Sequence, residues 1–447
     1  MWRFQRQARA LVIIALCTLP FLLRKEMYQI TFGRTSSDKS EEEVALTQVP
    51  EESRARRAVL PSSEVASSEG VPLDFKDEIF APIFETFREA SERSYQDKPK
   101  DRFRSGYIPK VFVYADEYAK ATWLKAHMED ISQRMCPHTC TYTTKYDMLR
   151  SSDAVLIHIW SVRDRQSLLK SLGPRDPSQP WIMMENETHL RANLKTKLNY
   201  SELNNIFNRT FYYRSDADIR IVHGFIVRRG RDASLLPPHW VRQPEMRRAD
   251  VTRLMAVAFI SDCKDNSGRL KYIYELKKHV QVDVFGKCGT KQCGVPRLAN
   301  IRMRVDMDPC LRSAAGKYYF YLAFENAICK DYVTEKLYNV LYYPMVPVLF
   351  GGANYSSILP PHSYIDANQY TPAALAKRLQ QLAKNPQEYD TYLKWKKYYQ
   401  PSTVGSSKIF CDLCAKLYDK RLYEHNTIRD FHDWFVTKDY CKKGFVP

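Results

Sequence analysis

A cluster of polar and charged side chains lies between two apolar runs in the last third of the chain. The stretch FENAICKDYVTEKL, residues 324–337, follows the aromatic run KYYFYLAF and precedes the aliphatic run MVPVLFGG. It contains Asn326, Tyr332, Glu335 and Lys336. Because Glu335 and Lys336 lie off the apolar helical face, periodicity alone favours ordinary solvated residues at these two positions. The chemistry open to the cluster therefore depends on the elements that position it.

The flanking runs predict those elements. FYLAF predicts a strand, and Asp331 is a suitable N-cap for the helix that follows. The buried face of this helix is predicted to consist of Val333, Leu337, Val340 and Leu341. The polar cluster then lies at the carboxyl end of a strand and the amino end of a helix. Open α/β sheets bind ligands at this corner, where backbone N–H groups favour phosphate.

The rest of the chain predicts two α/β halves. For a length of 447 residues, at least two domains plus accessory segments are expected. VFVY, DAVLIHIW and WIMMEN predict strands in the first half, and RLMAVAFIS and VQVDVFGKC predict strands in the second. Between these last two, Leu270, Ile273 and Leu276 form one face of a predicted helix. Alternating strands and helices predict parallel sheets, hence two Rossmann-like domains facing a cleft, with residues 242–251 as a linker.

The N-terminus resembles an address for the secretory pathway. The uncharged run at residues 10–23 is flanked by arginines before it and by Arg24 and Lys25 after it. It is shorter than the ~20 residues of an average spanning helix, but no small-residue cleavage site follows it. This pattern favours a signal anchor with a cytosolic N-terminus. The Ser-, Glu- and Pro-rich segment that follows predicts a flexible stem, in which RARR at residues 54–57 is a protease site or a solvated charge run.

Cysteine content, sequons and charge are consistent with a lumenal domain. Apart from Cys17 in the apolar run, the chain has ten cysteines, an even number that favours disulfides in an oxidising compartment. The alternative is a zinc site built from CPHTC and CDLC. Four sequons begin at Asn186, Asn199, Asn208 and Asn354. The net charge of +17 suits an acidic ligand such as a nucleotide diphosphate, and equally suits a membrane surface or nucleic acid.

Three blocks of the sequence resemble the α1,3-fucosyltransferase family, which transfers fucose from GDP-fucose to glycans. FYLAFENAICKDYVTEKLYNVL resembles the donor-binding signature of that family. NNIFNRTFYYRSDADIRIVHG and SDCKDNSGRLKYIYELKKHVQVDVFGKCG resemble two further blocks. The resemblance extends over about residues 107–442. It implies a GT-B type fold, in which two Rossmann-like α/β domains face a cleft, preceded here by the signal anchor and stem.

The resemblance implies roles for the donor-side residues. In similar enzymes the Asn, Tyr, Glu and Lys of the signature hold GDP-fucose, and they correspond here to Asn326, Tyr332, Glu335 and Lys336. Glu335 would accept hydrogen bonds from ribose hydroxyls, and Lys336 would neutralise the diphosphate. Arg269, in SGRL, would meet the phosphates from the other side. These cations would stabilise the negative charge that develops on departing GDP.

The resemblance also implies acceptor-side residues. Glu185 in WIMMENETHL corresponds to the proposed catalytic base, and Glu187 is a competitor for that role. Glu185 ends an apolar strand at the presumed cleft edge, where partial desolvation would raise its proton affinity. Continued strand alternation predicts that Glu187 points to the opposite face. His158 and Trp160 in IHIW are further candidates, and Ile159 replaces the second histidine of a two-His motif found in some relatives.

Two acidic positions bear on the chemistry. Asp262 in SDC replaces the Asn that family members often carry, which alters one polar contact near the nucleotide. Asp216 and Asp218 in SDAD have the spacing of a manganese-binding pair. In similar enzymes this block holds no essential cation, so both are expected to cap or to form salt bridges near Arg214.

The resemblance predicts an inverting glycosyltransferase. A carboxylate takes the proton from a GlcNAc 3-hydroxyl as that oxygen attacks the anomeric carbon of the β-linked donor, and the product is α-linked. The acceptor is expected to be a GlcNAc of a glycoprotein glycan, in the N-glycan core or antenna. No cofactor is expected to be essential, and a divalent cation would be at most stimulatory. The alternatives are a protein O-fucosyltransferase of the same fold, a metal-dependent glycosyltransferase using Asp216 and Asp218, and an inactive lumenal binding protein.

The predicted organisation is that of a single-pass type II protein of the Golgi membrane with a lumenal catalytic domain and no nucleic-acid partner. Its predicted parts are a cytosolic tail (residues 1–9), the anchor (10–23), the stem (24–105), an acceptor-side domain (106–241), a GDP-fucose-binding domain (242–400) and a C-terminal segment packing back on the N-terminal domain (401–447). Family resemblance implies that Cys136 and Cys140 pair with Cys411 and Cys414. Glycans are expected at Asn199, Asn208 and Asn354, and not at Asn186, where a glycan would crowd the cleft.

Overall fold

Apolar runs in the first half of the chain form a parallel sheet. The computed structural model describes residues 106–115, 138–229, 253–293, 308–402 and 405–446. The first sheet contains β1 Lys110–Tyr114, β2 Thr141–Thr143, β3 Ala154–His158, β4 Trp181–Met184, β5 Arg209–Tyr212 and β6 Ile219–Arg220. The strand order is β2-β1-β3-β4-β5-β6, and each neighbouring pair is parallel. Every residue of β3 and β4 is buried, because helices and the C-terminal segment cover both faces.

The second half forms another parallel sheet. Its strands are β8 Leu254–Phe259, β9 Val282–Phe285, β10 Tyr318–Phe324, β11 Val346–Phe350 and β12 Ile365–Asp366, in the order β12-β11-β10-β8-β9. The strand β7 Phe225–Arg228 pairs antiparallel with β13 Tyr399–Ser402. Among the described residues, both large sheets are parallel throughout. The predicted α/β class with parallel sheets is confirmed.

Helices connect the strands and cover the sheets. In the first half they are α1 Arg165–Leu172 and α2 His189–Thr196. In the second half they are α3 Arg269–Lys277, α4 Pro309–Ala315, α5 Glu335–Val340, α6 Pro372–Lys384 and α7 Pro386–Thr391. The last described residues form α8 Gly405–Lys416 and α9 Phe431–Phe435. Aspartate or threonine side chains cap α1, α4, α6 and α9 by accepting backbone N–H groups, as expected for N-cap residues.

The C-terminal residues belong to the core of the first sheet. Phe410 and Cys414 of α8, together with Phe431 and Phe435 of α9, are buried in one cluster with β1 and β3 to β5. The Phe431 and Phe435 rings stack with centroids 5.4 Å apart, and the Phe435 and Tyr200 ring centroids are 4.9 Å apart. All described residues lie within one compact unit, Ser68–Pro447. The hydrophobic core of the first sheet therefore includes side chains from the C-terminal end of the chain.

Four disulfides tie the described residues together. They are Cys140–Cys414, Cys263–Cys288, Cys293–Cys310 and Cys329–Cys441. The predicted link between Cys140 and the CDLC motif is confirmed, with Cys414 as the partner. Cys411 is also disulfide-bonded, whereas Cys136 lies outside the described residues. Because Cys140 and Cys414 are joined to each other, the alternative zinc site is wrong.

Several predicted segments lie outside the described residues. These are the cytosolic tail, the anchor at residues 10–23, the stem with its RARR cluster, and the linker at residues 242–251. No helix in the described part of the chain combines the length and the hydrophobicity that a membrane span requires.

Candidate active site

The chain turns after β4, and Glu185, the first acidic residue of that turn, is buried. The Glu185 side chain is 0% exposed, and its Oε1 accepts the backbone N–H groups of Asn186 and Glu187, each at 2.9 Å. Among the described residues, its Oε2 has no hydrogen-bond partner. Burial raises the pKa of Glu185 well above its usual value, which favours the protonated form. Glu185 thus closes the turn and is fully buried, whereas the sequence predicted partial desolvation, and the direction of its pKa shift is the predicted one.

The second acidic residue of the turn faces the donor signature. Glu187 Oε2 accepts a hydrogen bond from the Tyr332 hydroxyl at 2.7 Å and a longer one from Asn326 Nδ2 at 3.5 Å. Strand alternation does not extend to Glu187, because β4 ends at Met184 and the Glu185 carboxyl folds the backbone into a turn. The prediction that Glu187 points away from the cleft is therefore wrong. This carboxylate links the first half of the chain to two predicted donor-side residues.

Replacing Glu185 by Gln is expected to raise the melting temperature at neutral pH. A carboxyl whose pKa is raised by folding destabilises the native state wherever the unfolded chain is ionised, above about pH 4.3, and this effect grows with pH up to the raised pKa. Glutamine keeps an oxygen for both N–H groups and has no charge to bury. Thermal unfolding at about pH 4 and about pH 7.5 measures this, and an equal difference at both pH values contradicts it.

A lysine among carboxylates lies at the start of α5. Lys336 Nζ contacts Thr334 Oγ1 at 2.7 Å, Glu325 Oε2 at 3.1 Å and Glu335 Oε1 at 3.4 Å. Burial lowers the pKa of Lys336, but Glu325, Glu335 and more distant Glu187 outweigh burial and raise it above its usual value. The ammonium group is therefore charged at any physiological pH and is held at the end of β10.

Glu325 positions the amino end of α5, a role that the sequence analysis missed. Its Oε1 accepts the Thr334 N–H at 2.8 Å and the Thr334 hydroxyl at 2.9 Å. The helix therefore begins at Glu335 with Thr334 as N-cap, and the predicted cap at Asp331 is wrong. Asp331 instead adopts φ +62° and accepts hydrogen bonds from Ser215. An acidic residue directly after a buried strand was the available signal for Glu325.

Arg269 approaches the same region from α3. Its side chain is 2% exposed, and it donates to Phe324 O at 3.0 Å and Asp262 O at 2.9 Å, while its Nε lacks a hydrogen-bond partner among the described residues. Its charge opposes protonation of Lys336, so the two cations lie close enough to repel each other. Two confined cations and an unused buried N–H donor form a favourable environment for an anion.

The loop before α3 is held in place by two other segments. The backbone N–H groups of Asn266 and Ser267 both donate to Asn326 O, at 2.8 and 3.0 Å, and Phe445 N donates to Ser267 O at 2.7 Å. Gly268 has φ +71°, and a Cβ there would come within 2.4 Å of Phe445 O. Only glycine fits this conformation and this close approach. The end of the chain therefore fixes the loop that presents Arg269.

Two acidic groups of this site reach solvent: the Glu335 side chain is 54% exposed and the Asp262 side chain 35%. Desolvation opposes ionisation of Glu335, but Lys336 and His223 lower its pKa to about 2. His223 Nδ1 lies 3.6 Å from Glu335 Oε2. Asp262 forms an ion pair with Arg191 of α2 at 2.7 Å. Glu335 is thus available to accept hydrogen bonds from a ligand, whereas Asp262 already has a partner from the other half.

The acceptor-side candidates lie at the end of β3. His158 is buried, and its ring centroid is 5.7 Å from that of Trp160. Lys195 of α2 lies 5.5 Å over the Trp160 ring, and Trp160 Nε1 is a buried donor without a hydrogen-bond partner in the described part of the chain. Both residues lie on the same sheet edge as Glu185 and Glu187, because β3 and β4 are parallel neighbours.

The two aspartates of the look-alike metal motif are engaged in other interactions. Asp216 forms an ion pair with Arg214, with oxygen to nitrogen distances of 2.5 and 2.8 Å. Asp218 Oδ2 accepts the Thr210 N–H at 2.9 Å and the Thr210 hydroxyl at 2.8 Å. The described residues contain one other cluster of possible ligands, His189, Asp439 and Cys441, but Cys441 is bonded to Cys329. In both groups, interactions with neighbouring residues compete with a divalent cation for ligand atoms.

Transfer activity is expected to survive removal of divalent cations. A cation bound between Asp216 and Asp218 would compete with Arg214 and with the Thr210 N–H and hydroxyl groups, which already donate to these carboxylates. Initial rates in excess EDTA, compared with rates in added manganese, measure this. Loss of activity in EDTA with recovery in manganese alone would contradict it.

The sequons differ in accessibility. Asn199 and Asn354 are exposed, which is compatible with the glycans expected there. Asn208 is buried: its Oδ1 accepts from Trp181 N and Arg175, and its Nδ2 donates to Asn426 O. A glycan on this nitrogen is incompatible with the fold, so the expectation at Asn208 is wrong. Asn186 is partly buried in the turn between Glu185 and Glu187.

Comparison with known proteins establishes the family. Residues 110–224 match the family described as fucosyltransferase, N-terminal, and residues 250–434 match the C-terminal part of glycosyltransferase family 10 (fucosyltransferase). The chain belongs to glycosyltransferase family 10, the fucosyltransferases. The predicted membership of the α1,3-fucosyltransferase family is thereby confirmed. The two matched regions include β4 with its turn in one case and the donor signature in the other.

Individual relatives agree with this family. The chain is 35% identical to alpha-(1,3)-fucosyltransferase C of Drosophila melanogaster over 342 residues, 72% of this chain and 76% of that protein. It is 31% identical to human 3-galactosyl-N-acetylglucosaminide 4-alpha-L-fucosyltransferase FUT3, over 68% of this chain and 77% of that protein. A crystal structure of an alpha1,3-fucosyltransferase aligns with 15% identity and a TM-score of 0.45, covering 74% of this chain and 97% of that one. The family match and the identity to the Drosophila enzyme show that the chain is an α1,3-fucosyltransferase.

Proposed function

We propose that this enzyme transfers fucose from GDP-fucose to the 3-hydroxyl of a GlcNAc residue in glycoprotein glycans. The reaction is a single inverting displacement without an essential metal ion. The acceptor oxygen attacks the anomeric carbon, its proton goes to a carboxylate, and GDP leaves from the opposite face. The product is α-linked because the donor is β-linked.

The position of Glu187 is the observation that supports this mechanism most strongly. A base must reach the acceptor hydroxyl while the donor is held beside it, so it must lie where the two halves of the chain meet. Glu187 contacts Asn326 and Tyr332 of the donor signature, whereas Glu185 is fully buried beneath the turn. We therefore assign the base to Glu187 in place of Glu185. Tyr332 orients the Glu187 carboxylate by donating to its Oε2, and the turn closed by Glu185 fixes the Glu187 backbone.

The cations on the donor side suit the departure of GDP. Lys336 lies at the start of α5 and Arg269 at the start of α3, and both are largely buried. Negative charge that develops on the diphosphate would relieve the repulsion between them and occupy the unused Arg269 Nε donor. Glu335, ionised and half exposed, is placed to accept hydrogen bonds from ribose hydroxyls.

The proposed setting is a GT-B arrangement on a membrane tether. Each of the two parallel sheets would be the centre of one Rossmann-like domain. The site residues lie near the carboxyl ends of strands, where α/β sheets bind ligands. Residues 10–23 would form a signal anchor and residues 24–105 a stem, which would place the catalytic domain in the Golgi lumen.

An acceptor panel tests the proposal. The purified enzyme is incubated with GDP-fucose and with glycans that differ in core and antennal GlcNAc residues, and the new linkage is located by mass spectrometry and NMR. Transfer to a GlcNAc 3-hydroxyl is the expected result. Transfer to a protein side chain, or binding of glycan without transfer, would reject it.

A further inference from the structure

A carboxylate from the end of the chain is buried directly behind the turn that carries Glu187. Asp439 ends a short 3-10 turn, Thr437–Asp439, and is 0% exposed. Its Oδ2 accepts from His189 Nδ1 at 2.7 Å and from the Tyr212 hydroxyl at 3.1 Å, and its Oδ1 accepts from the Tyr213 hydroxyl. Burying a carboxyl group is costly unless hydrogen-bond partners satisfy it, and these three side chains provide the partners.

One set of contacts connects Asp439 to the backbone of Glu187. His189 is the first residue of α2 and lies two positions after Glu187. Both its ring Nδ1 and its backbone N–H point at Asp439 Oδ2, the latter at 3.4 Å. The turn of Glu187 is thus held at one end by the Glu185 carboxyl and at the other by Asp439.

A second set of contacts connects Asp439 to the Glu187 side chain. The Tyr213 hydroxyl donates to Asp439, and the Tyr213 ring lies against the Tyr332 ring with centroids 4.9 Å apart. Tyr332 in turn donates to Glu187 Oε2. Tyr213 and Tyr332 are both fully buried, so a shift of one ring displaces the other. Asp439 therefore limits the freedom of the hydroxyl that orients the proposed base.

The end of the chain is attached by bonds other than those of the Asp439 carboxyl. The Cys329–Cys441 disulfide joins this segment to the donor signature. Lys330 N donates to Asp439 O at 3.0 Å and Lys442 N donates to Ile328 O at 2.8 Å. The backbone is anchored by these bonds whether or not residue 439 carries a charge.

We propose that Asp439 is a positioning residue of the transfer reaction, which holds His189 and Tyr213 so that Glu187 is aimed at the acceptor hydroxyl. This inference rests on the proposed role of Glu187 as the base. Asp439 does not touch substrate, and its effect on the rate passes entirely through Glu187 and Tyr332.

A double-mutant cycle in the full-length enzyme tests the inference. Asp439→Asn keeps the side-chain volume but leaves only one oxygen for three donors, and should lower kcat about 10-fold with less than about 2-fold change in the KM for GDP-fucose. In a Glu187→Gln background the same change should lower kcat by no more than about 2-fold, because residues that act as a unit are not additive. Asp433→Asn, a partly exposed carboxylate of the same segment, is the matched control and should leave kcat unchanged.

The outcomes separate the inference from the function on which it rests. If Glu187→Gln retains full activity, the proposed base is wrong. If Glu187→Gln is slow but Asp439→Asn lowers kcat about 10-fold further in that background, Asp439 acts elsewhere and the inference is overturned. Should Asp439→Asn fail to bind GDP or to unfold cooperatively, Tyr213→Phe takes its place in the cycle, since it removes one hydroxyl and keeps the ring stack. Full activity of Tyr213→Phe would then overturn the inference.

Discussion

Glu187→Gln is expected to lower kcat about 10²-fold or more while GDP still binds. Glutamine keeps an oxygen that can accept from the Tyr332 hydroxyl, so the contact across the site is retained and only the basic carboxylate is lost. Loss of a positioned general base removes proton transfer from the transition state and leaves ground-state binding in place. Steady-state kinetics with varied acceptor, together with calorimetric titration of GDP, measure the two effects separately.

The neighbouring carboxyl provides the control for this experiment. Glu185→Gln preserves the oxygen that accepts the Asn186 and Glu187 N–H groups, so the turn keeps its shape and most of the activity is expected to remain. Glu185→Ala removes that oxygen and should lower kcat by loosening the turn. If Glu185→Gln abolishes transfer while Glu187→Gln remains active, then Glu185 is the base and the geometric assignment fails.

The sequence predicted the main elements because their apolar patterns are local. Leu337 and Val340 are buried on α5 as their helical spacing required, and Leu341 is buried at its C-cap, whereas Val333 is buried just before the helix begins. Ile273 and Leu276 form the inner face of α3. The strands around the donor signature also lie where their apolar runs predicted. Periodicity succeeds in such cases because one face of the element packs against one sheet, and each residue's burial depends on its own position in the repeat.

The errors occurred where distant residues decide the local geometry. The start of α5 depends on Glu325, nine residues before the Thr334 group that it binds, so the cap expected at Asp331 was displaced. The direction of Glu187 depends on a turn closed by Glu185, and strand alternation has no bearing on it. His189 and Asp439 are 250 residues apart in sequence, and no spacing rule could have paired them. Polar contacts of this kind depend on the tertiary fold, and no local sequence pattern predicts them.

Lys336→Met is expected to lower kcat/KM for GDP-fucose about 10²-fold or more. Methionine fills much of the space of the lysine stem but removes the charge that faces the proposed diphosphate, and Arg269 alone would then oppose the negative charge of departing GDP. Product affinity should fall as well, because GDP carries the same diphosphate. Initial rates with varied GDP-fucose and competitive inhibition by GDP measure both effects. Lys271→Met changes one charge at an exposed position on α3 and is the matched control. It should leave kcat/KM and GDP inhibition nearly unchanged.

A second substitution distinguishes lost phosphate binding from local damage. Lys336 lies 3.1 Å from the buried Glu325, so its removal leaves that carboxylate with Thr334 as its remaining side-chain partner, which is itself destabilising. The double variant Lys336→Met with Glu325→Gln removes both charges and should recover much of the lost thermal stability. Its activity should stay low, because the cation is still missing. If activity returns together with stability, the effect of Lys336 on transfer is structural, and the diphosphate has to be placed elsewhere in the site.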